Sequence, residues 1–346
     1  MRLGFLLFVL ASCSDESLTS DAGREASAEA GERETASNLD LLLVLDTSSD
    51  AEELQRRFFG ELSPFLRGLL AGDHDHDGVA EARPLQSVQV AAISMEAGGA
   101  EGFRDCDGDG GAFLEPIEGT GCRGDDPAFQ SLREVDDVAR AFEALRCVGE
   151  RIDGCGVEQP LEAATMALEA NAGGPFLREG AALAVLFLTK EDDCSLLDSS
   201  LLVDDDGPYA ATPFEHRCAS HPEALHTPRR FVDALVRGRA LPRIALAVFA
   251  GIPPERETVR PAELLRTGEL EPVLDPTGPS GMESVCVDPS IGAVFPASRL
   301  IDAAGRFQNR GGRAIGASVC GDAGSYRASL RRFAQEIAAA TAAPAE

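Results

Sequence analysis

Tryptophan is absent from this chain, and lysine occurs once, as Lys190. The scarcity of lysine is a compositional habit, with arginine written where other chains use lysine, but it makes Lys190 the only side-chain ammonium. Basic residues as a class are few: 31 Lys and Arg stand against 58 Asp and Glu, for a formal charge of −27. A field of that sign repels phosphate backbones and anionic lipid, which excludes nucleic acid as a partner. No C-x-x-C occurs, so the usual framework of structural zinc is missing. G-x-S-x-G, a Walker loop and H-E-x-x-H are missing too, and with them the common signatures of hydrolases, nucleotide-binding enzymes and zinc proteases. The apolar stretch "LGFLLFVL" near the N-terminus is too short to span a bilayer as a helix.

What is present is a chain of 346 residues, 44% hydrophobic, long enough for one large domain or two small ones. Strand-like and helical periodicities alternate along it. The runs "DLLLVL", "SVQVAAIS", "AALAVLFLT", "RIALAVFAG" and "RAIGASVC" read as buried strands. Between them lie amphipathic stretches: Leu54 to Leu69, interrupted near Pro64; Phe129 to Leu145; "VEQPLEAATMALEA"; a short one around Phe231 to Val236; and "SYRASLRRFAQEIAAA". Strands that are hydrophobic throughout and separated by helices predict an α/β fold, a doubly wound, mostly parallel sheet with helices on both faces.

The N-terminus reads as an export signal: Arg2, an apolar stretch, then small residues. Leu10-Ala11-Ser12-Cys13 resembles the lipobox of bacterial lipoproteins, which implies a signal peptide over residues 1–12 and lipid attachment to Cys13. Residues 13–38 lack apolar periodicity and are rich in Ser, Glu, Asp and Ala, the composition of a disordered acidic tether. Eight cysteines remain after Cys13, an even number that suits an oxidising compartment. Pairing sequential neighbours closes short or moderate loops, giving Cys106–Cys122, Cys147–Cys155, Cys194–Cys218 and Cys286–Cys320. The globular region is expected over residues 39–341, with insertions at about 100–127, 196–228 and 251–285 and a tail at 342–346.

The first strand ends in Asp46-Thr47-Ser48-Ser49-Asp50. An apolar strand running into D-x-S-x-S resembles the opening of the von Willebrand factor type A family, whose metal-ion-dependent adhesion site begins there. The later segments "LQSVQVAAIS", "GCGVEQPLEAA", "LTKEDDCS", "FPASRL" and "SVCGDAGSYRASL" keep the order of exported bacterial lipoproteins that carry such a domain. The resemblance implies that Asp46, Ser48 and Asp50 begin the ligand-binding face. It also exposes departures. Asp50 stands at the second serine position, the loop Asp153 to Gln159 offers no threonine, and Lys190 takes the place of the closing aspartate, with Glu191, Asp192 and Asp193 directly behind. An ammonium there can pair with Asp46 and Asp50 and replace the ion, so Mg²⁺ is not expected. The escape from that conclusion is a shift of one residue that makes Glu191 the ligand.

Two acidic loops, Asp73-His74-Asp75-His76-Asp77-Gly78 and Asp105-Cys106-Asp107-Gly108-Asp109-Gly110, read D-x-D-x-D-G, the first half of an EF-hand loop. The closing glutamate is missing from both, with Pro84 and Pro116 at position twelve. Weak Ca²⁺ binding assisted by Glu81 or Glu115, or a solvated acidic loop, are the two readings. The expected function is non-enzymatic: a lipid-anchored envelope protein, at the outer membrane or cell surface, that binds a protein or matrix ligand. The alternative is an envelope hydrolase using Glu191, Asp192 and Asp193. Replacing Cys13 with Ser is expected to release the chain from membranes in soluble form, and unchanged membrane fractionation would remove the lipoprotein reading.

Overall fold

A run that is apolar on both sides needs cover on both sides, and Leu39 to Leu45 obtains it at the middle of a sheet. The computed structural model describes residues 37–98, 108–115, 127–149, 156–203, 207–275 and 281–344. Its strands are β1 (Asn38–Leu45), β2 (Ser87–Ser94), β3 (Phe129–Leu132), β4 (Ala182–Leu188), β5 (Ile244–Ala250), β6 (Cys286–Asp288), β7 (Gly292–Val294) and β8 (Arg313–Ser318). Six of them form one sheet in the order β3-β2-β1-β4-β5-β8, parallel except for β3. The hairpin β6–β7 stands apart.

Eight helices accompany the strands: α1 (Glu52–Ala71), α2 (Asp137–Gly149), α3 (Pro160–Ala170), α4 (Arg217–Ser220), α5 (Pro228–Leu235), α6 (Pro261–Leu264), α7 (Ser298–Asn309) and α8 (Ala323–Ala342). Side chains alternate across the sheet. Leu41, Leu43 and Leu45 pack with Phe58 of α1, Leu145 of α2 and Phe333 of α8, whereas Leu42 and Val44 pack with Leu161 of α3, Phe231 of α5 and Leu300 of α7. Among the described residues no helix is long and apolar enough to cross a membrane.

Two local expectations fail for physical reasons. Helix α1 continues through Pro64. Proline inside a helix costs about 3 kcal/mol, but Leu62, Phe65, Leu66 and Leu69 around it are all buried, at roughly 1.5–3 kcal/mol each, so packing wins. Phe129 to Leu132, read as the start of a helix, is the antiparallel edge strand β3, with Leu132 beside Val88 and Phe129 beside Ala91. Its buried Gln130, exposed Ser131 and buried Leu132 show the period of a strand. The helix begins only after Asp137 accepts the N–H groups of Arg133 and Glu134, at 2.8 and 3.1 Å.

Disulfides Cys194–Cys218 and Cys286–Cys320 are present as sequential pairing predicts. Cys147 is also disulfide-bonded. Its expected partner Cys155 lies outside the described residues, as do Cys106, Cys122, Asp105, Asp107, Cys13 and the leader. The second bridge fastens the β6–β7 hairpin to the segment after β8. Asp288 of that hairpin accepts both terminal nitrogens of Arg57 on α1, at 2.9 and 2.8 Å, and this pairing holds its carboxyl down at about 2.

Asp40 is the one charge inside β1, fully buried. Burial raises its pKa, opposed by Arg178, which donates to it from the backbone N–H at 2.8 Å and from Nε at 2.7 Å. Removing one partner of a buried pair leaves the other unpaired, at a cost of about 3–5 kcal/mol. Arg178→Ala is therefore expected to lower the denaturation free energy by roughly that amount in urea titration, and a loss below about 1 kcal/mol would show that Arg239, 4.0 Å from the same carboxylate, suffices.

Candidate functional site

The parallel register sets Leu45 beside Leu188, so the chain leaves β1 and β4 at the same edge of the sheet. Asp46 is 1% exposed, and its N–H donates to the Leu188 carbonyl at 3.0 Å. Ser48 turns back onto it: its N–H and Oγ donate to Asp46 Oδ1 at 3.0 and 2.6 Å. Gln55 of α1 donates to the Asp46 carbonyl, and Ser48 Oγ also lies 3.0 Å from Asp50 Oδ1. From β4, Thr189 Oγ1 reaches Asp46 Oδ2 at 3.4 Å. Lys190 is 4% exposed and its Nζ is ion-paired with Asp50 Oδ2. Asp46, Ser48, Asp50 and Lys190, predicted to meet, do meet.

These groups do not fit a hard divalent ion. Such an ion needs about six oxygens at open lone pairs, but here the Lys190 ammonium already holds Asp50. Burial pushes the Asp46 carboxyl up, against the Ser48 hydrogen bonds and the Lys190 charge. For Asp50, burial likewise raises the pKa, but its hydrogen bond and charge contact with Lys190 win and hold it low.

The fifth predicted residue, Glu191, lies beside this group, near enough to Asp46 for the two charges to repel. It is hydrogen-bonded to Glu158, a residue of the loop before α3 that the sequence reading passed over while looking there for a threonine. Burial, then repulsion from Glu191 and Asp46, push Glu158 well above the ordinary carboxyl range. Glu191 is raised as well, by burial first and Asp46 second, while its bond from Glu158 opposes the rise. Both carboxyls of the pair are thus raised, Glu158 the more. The available signal was an acid in "VEQP", between apolar Val157 and the proline that opens a helix.

Asp192 and Asp193, grouped with Glu191 by the sequence, each close the start of a helix. Asp192 accepts the N–H groups of Arg299 at 2.9 Å and Leu300 at 3.2 Å and the hydroxyl of Ser298 at 2.9 Å, closing the start of α7. Asp193 accepts the N–H of Leu161 at 3.0 Å at the start of α3, together with Arg299 Nη2 at 3.0 Å. Orphan N–H groups of a first helical turn are satisfied in this way.

Beside the Glu158–Glu191 pair lies a cavity of about 250 Å³, walled by Val157, Leu202, Phe214 and Phe295, with the Cys194–Cys218 bridge on its border. In the α1–β2 loop Asp73, Asp75, Asp77 and Glu81 bring one carboxylate oxygen each within 4.8 Å of the others. Glu81 joins the cluster as the sequence suggested. Arg331 is ion-paired with Asp75, however, and Asp73 and Glu81 accept the N–H groups of Gly78 and His74, so much of the charge is already met. Of the three aspartates in the second acidic loop only Asp109 is described, its N–H donating to the Glu96 carbonyl at 2.9 Å.

No family model matches the chain, and no curated protein or solved structure matches it either.

Asp192, raised by burial to about 6, joins Asp46, Glu158 and Glu191 in holding protons more tightly folded than unfolded. Such groups make the folded state more stable as pH falls from neutral toward about 4, and Asp192 alone contributes up to about 3 kcal/mol over that window. Depressed carboxyls such as Asp50 and Asp288 keep their stabilisation until the pH drops below about 4. The melting temperature is thus expected to be higher at pH 5 than at pH 7.5, and Asp192→Asn to flatten that slope. A slope of the opposite sign would refute this charge assignment.

Proposed function

We propose that this chain is a metal-independent binding module of the cell envelope, a doubly wound domain of the von Willebrand factor type A kind that meets a protein or matrix ligand at its strand-end face. One observation carries the reading: the buried Lys190 ammonium is paired with Asp50 at the place the metal would take. The strand order with a single antiparallel edge supports the fold assignment. Two disulfides support a place outside the cytoplasm, in keeping with lipid attachment at Cys13.

A hydrolase reading retains one favourable observation, two adjacent carboxyls raised by burial at the border of a cavity. It would use Glu158 as acid and Glu191 as base. Turnover of an ester or peptide by the full-length chain, abolished in Glu158→Gln, would establish it.

The binding reading is tested at lysine. Lys190→Asp removes the internal cation and restores a carboxylate. The variant is expected to gain stability with Mg²⁺ or Mn²⁺, by about 2.7 kcal/mol when the ion is at a hundred times its Kd, while the parent gains none. Tight Mg²⁺ binding by the parent in calorimetry, lost in Asp46→Ala, would overturn the reading.

A further inference from the structure

The cavity beside Glu158 has an unbalanced charge. Its lining carries the carboxyl groups of Glu158, Glu191, Asp192, Asp193 and Glu215 and a single base, Arg299. Arg299 is bound to Asp193 at 3.0 Å, Asp192 is answered by the N–H groups opening α7, and Lys190 is committed to Asp50. Glu215 is exposed, so among the buried lining acids the pair Glu158–Glu191 is left without an ion pair of its own, with Asp46 beside it and the Lys190 charge only partly offsetting Glu191. Glu158 is only 9% exposed, so water screens the pair poorly.

We infer that this cavity takes a guanidinium group on an aliphatic stem, the arginine side chain of a polypeptide ligand. The inference rests on the binding-module reading and names the chemistry of its ligand. Three features select it. Two adjacent carboxyls present neighbouring oxygens to a planar fork of N–H donors, which a guanidinium supplies and a compact ammonium does not. The lining also includes the apolar side chains Val157, Leu202, Phe214 and Phe295, which suit a methylene stem with a charged tip. The volume of about 250 Å³ falls below the roughly 300–1,000 Å³ of pockets that enclose whole small-molecule ligands, a size for one inserted side chain. A bare ion is the poorer occupant. Among the described residues the acids whose oxygens close to within ion-binding reach of one another are those of the Asp73 loop, not these.

The test is calorimetric titration of the full-length chain, in chelator, with N-acetyl-arginine amide, its uncharged isostere N-acetyl-citrulline amide, and agmatine. The arginine amide is expected to bind at least about tenfold more tightly than the citrulline amide, the size of effect a charge-assisted hydrogen-bonded pair provides. Glu191→Gln should remove most of that difference. Agmatine, which lacks the peptide groups, should bind more weakly than the arginine amide. Binding by agmatine alone would overturn the polypeptide source. Equal binding of the arginine and citrulline amides would overturn the inference and leave the binding-module reading standing, and this comparison needs no variant. Arginine binding that appears only when Mg²⁺ replaces chelator would overturn the metal-free reading and leave the arginine preference intact.

Discussion

The Asp46 N–H donates to the Leu188 carbonyl at the end of the parallel ladder between β1 and β4. That alignment decides what the strand-end face contains. One residue past the ladder on β1 comes Asp46, with Ser48 and Asp50 in the turn that follows. Two past it on β4 comes Lys190. Strands rise about 3.3 Å per residue, so a slip of two positions would carry the ammonium some 7 Å from Asp50. A slip of one would turn it to the other face. The apolar contacts of Leu41, Leu43 and Leu45 on one side and Leu42 and Val44 on the other hold the register. The charge arrangement is therefore set by hydrophobic packing rather than by its own attraction.

Such packing concentrates acids in a poorly hydrated place. Asp46, Glu158 and Glu191 converge there, with one lysine among them and the exposed Asp50 at the rim. The structure meets this excess in three ways: an ion pair at Asp50, hydroxyl and amide donors at Asp46, and a hydrogen bond between Glu158 and Glu191. Each acts on a different carboxyl, and only the ion pair supplies a full positive charge. The surface of the molecule, with its large negative total, offers no further relief to this cluster.

Much of this was legible in the sequence. The inner strands announced themselves as unbroken apolar runs, because a strand covered on both sides has no polar face. The gathering of Asp46, Ser48, Asp50 and Lys190 followed from placing both runs in one parallel sheet. The misses have a common cause: local periodicity was trusted where a tertiary contact decides. Phe129 and Leu132 happen to share helical spacing with the residues after them, yet β2 recruits them as an edge strand. Pro64 signals a break that buried neighbours override. Asp192 and Asp193 read as one run with Glu191 until two helices, one from each side in sequence, arrive with unsatisfied N–H groups. Glu158 could not be recognised as Glu191's partner because nothing between positions 158 and 191 encodes their proximity except the fold itself.

The short stretch from Asp192 to Ser195 does more than fill hydrogen-bonding vacancies. Asp192 engages the start of α7, Asp193 engages the start of α3, and Ser195 Oγ accepts the Glu162 N–H at 2.9 Å in the same first turn of α3. One loop thus indexes two helices to the end of β4, like a template with two seats. Neither helix can rotate or retreat without stripping acceptors from its first turn, so the loop ties together two of the elements that border the cavity. A group entering there would find that part of the wall already fixed and would lose freedom mainly on its own account, the condition under which a small contact area can still discriminate by length and shape.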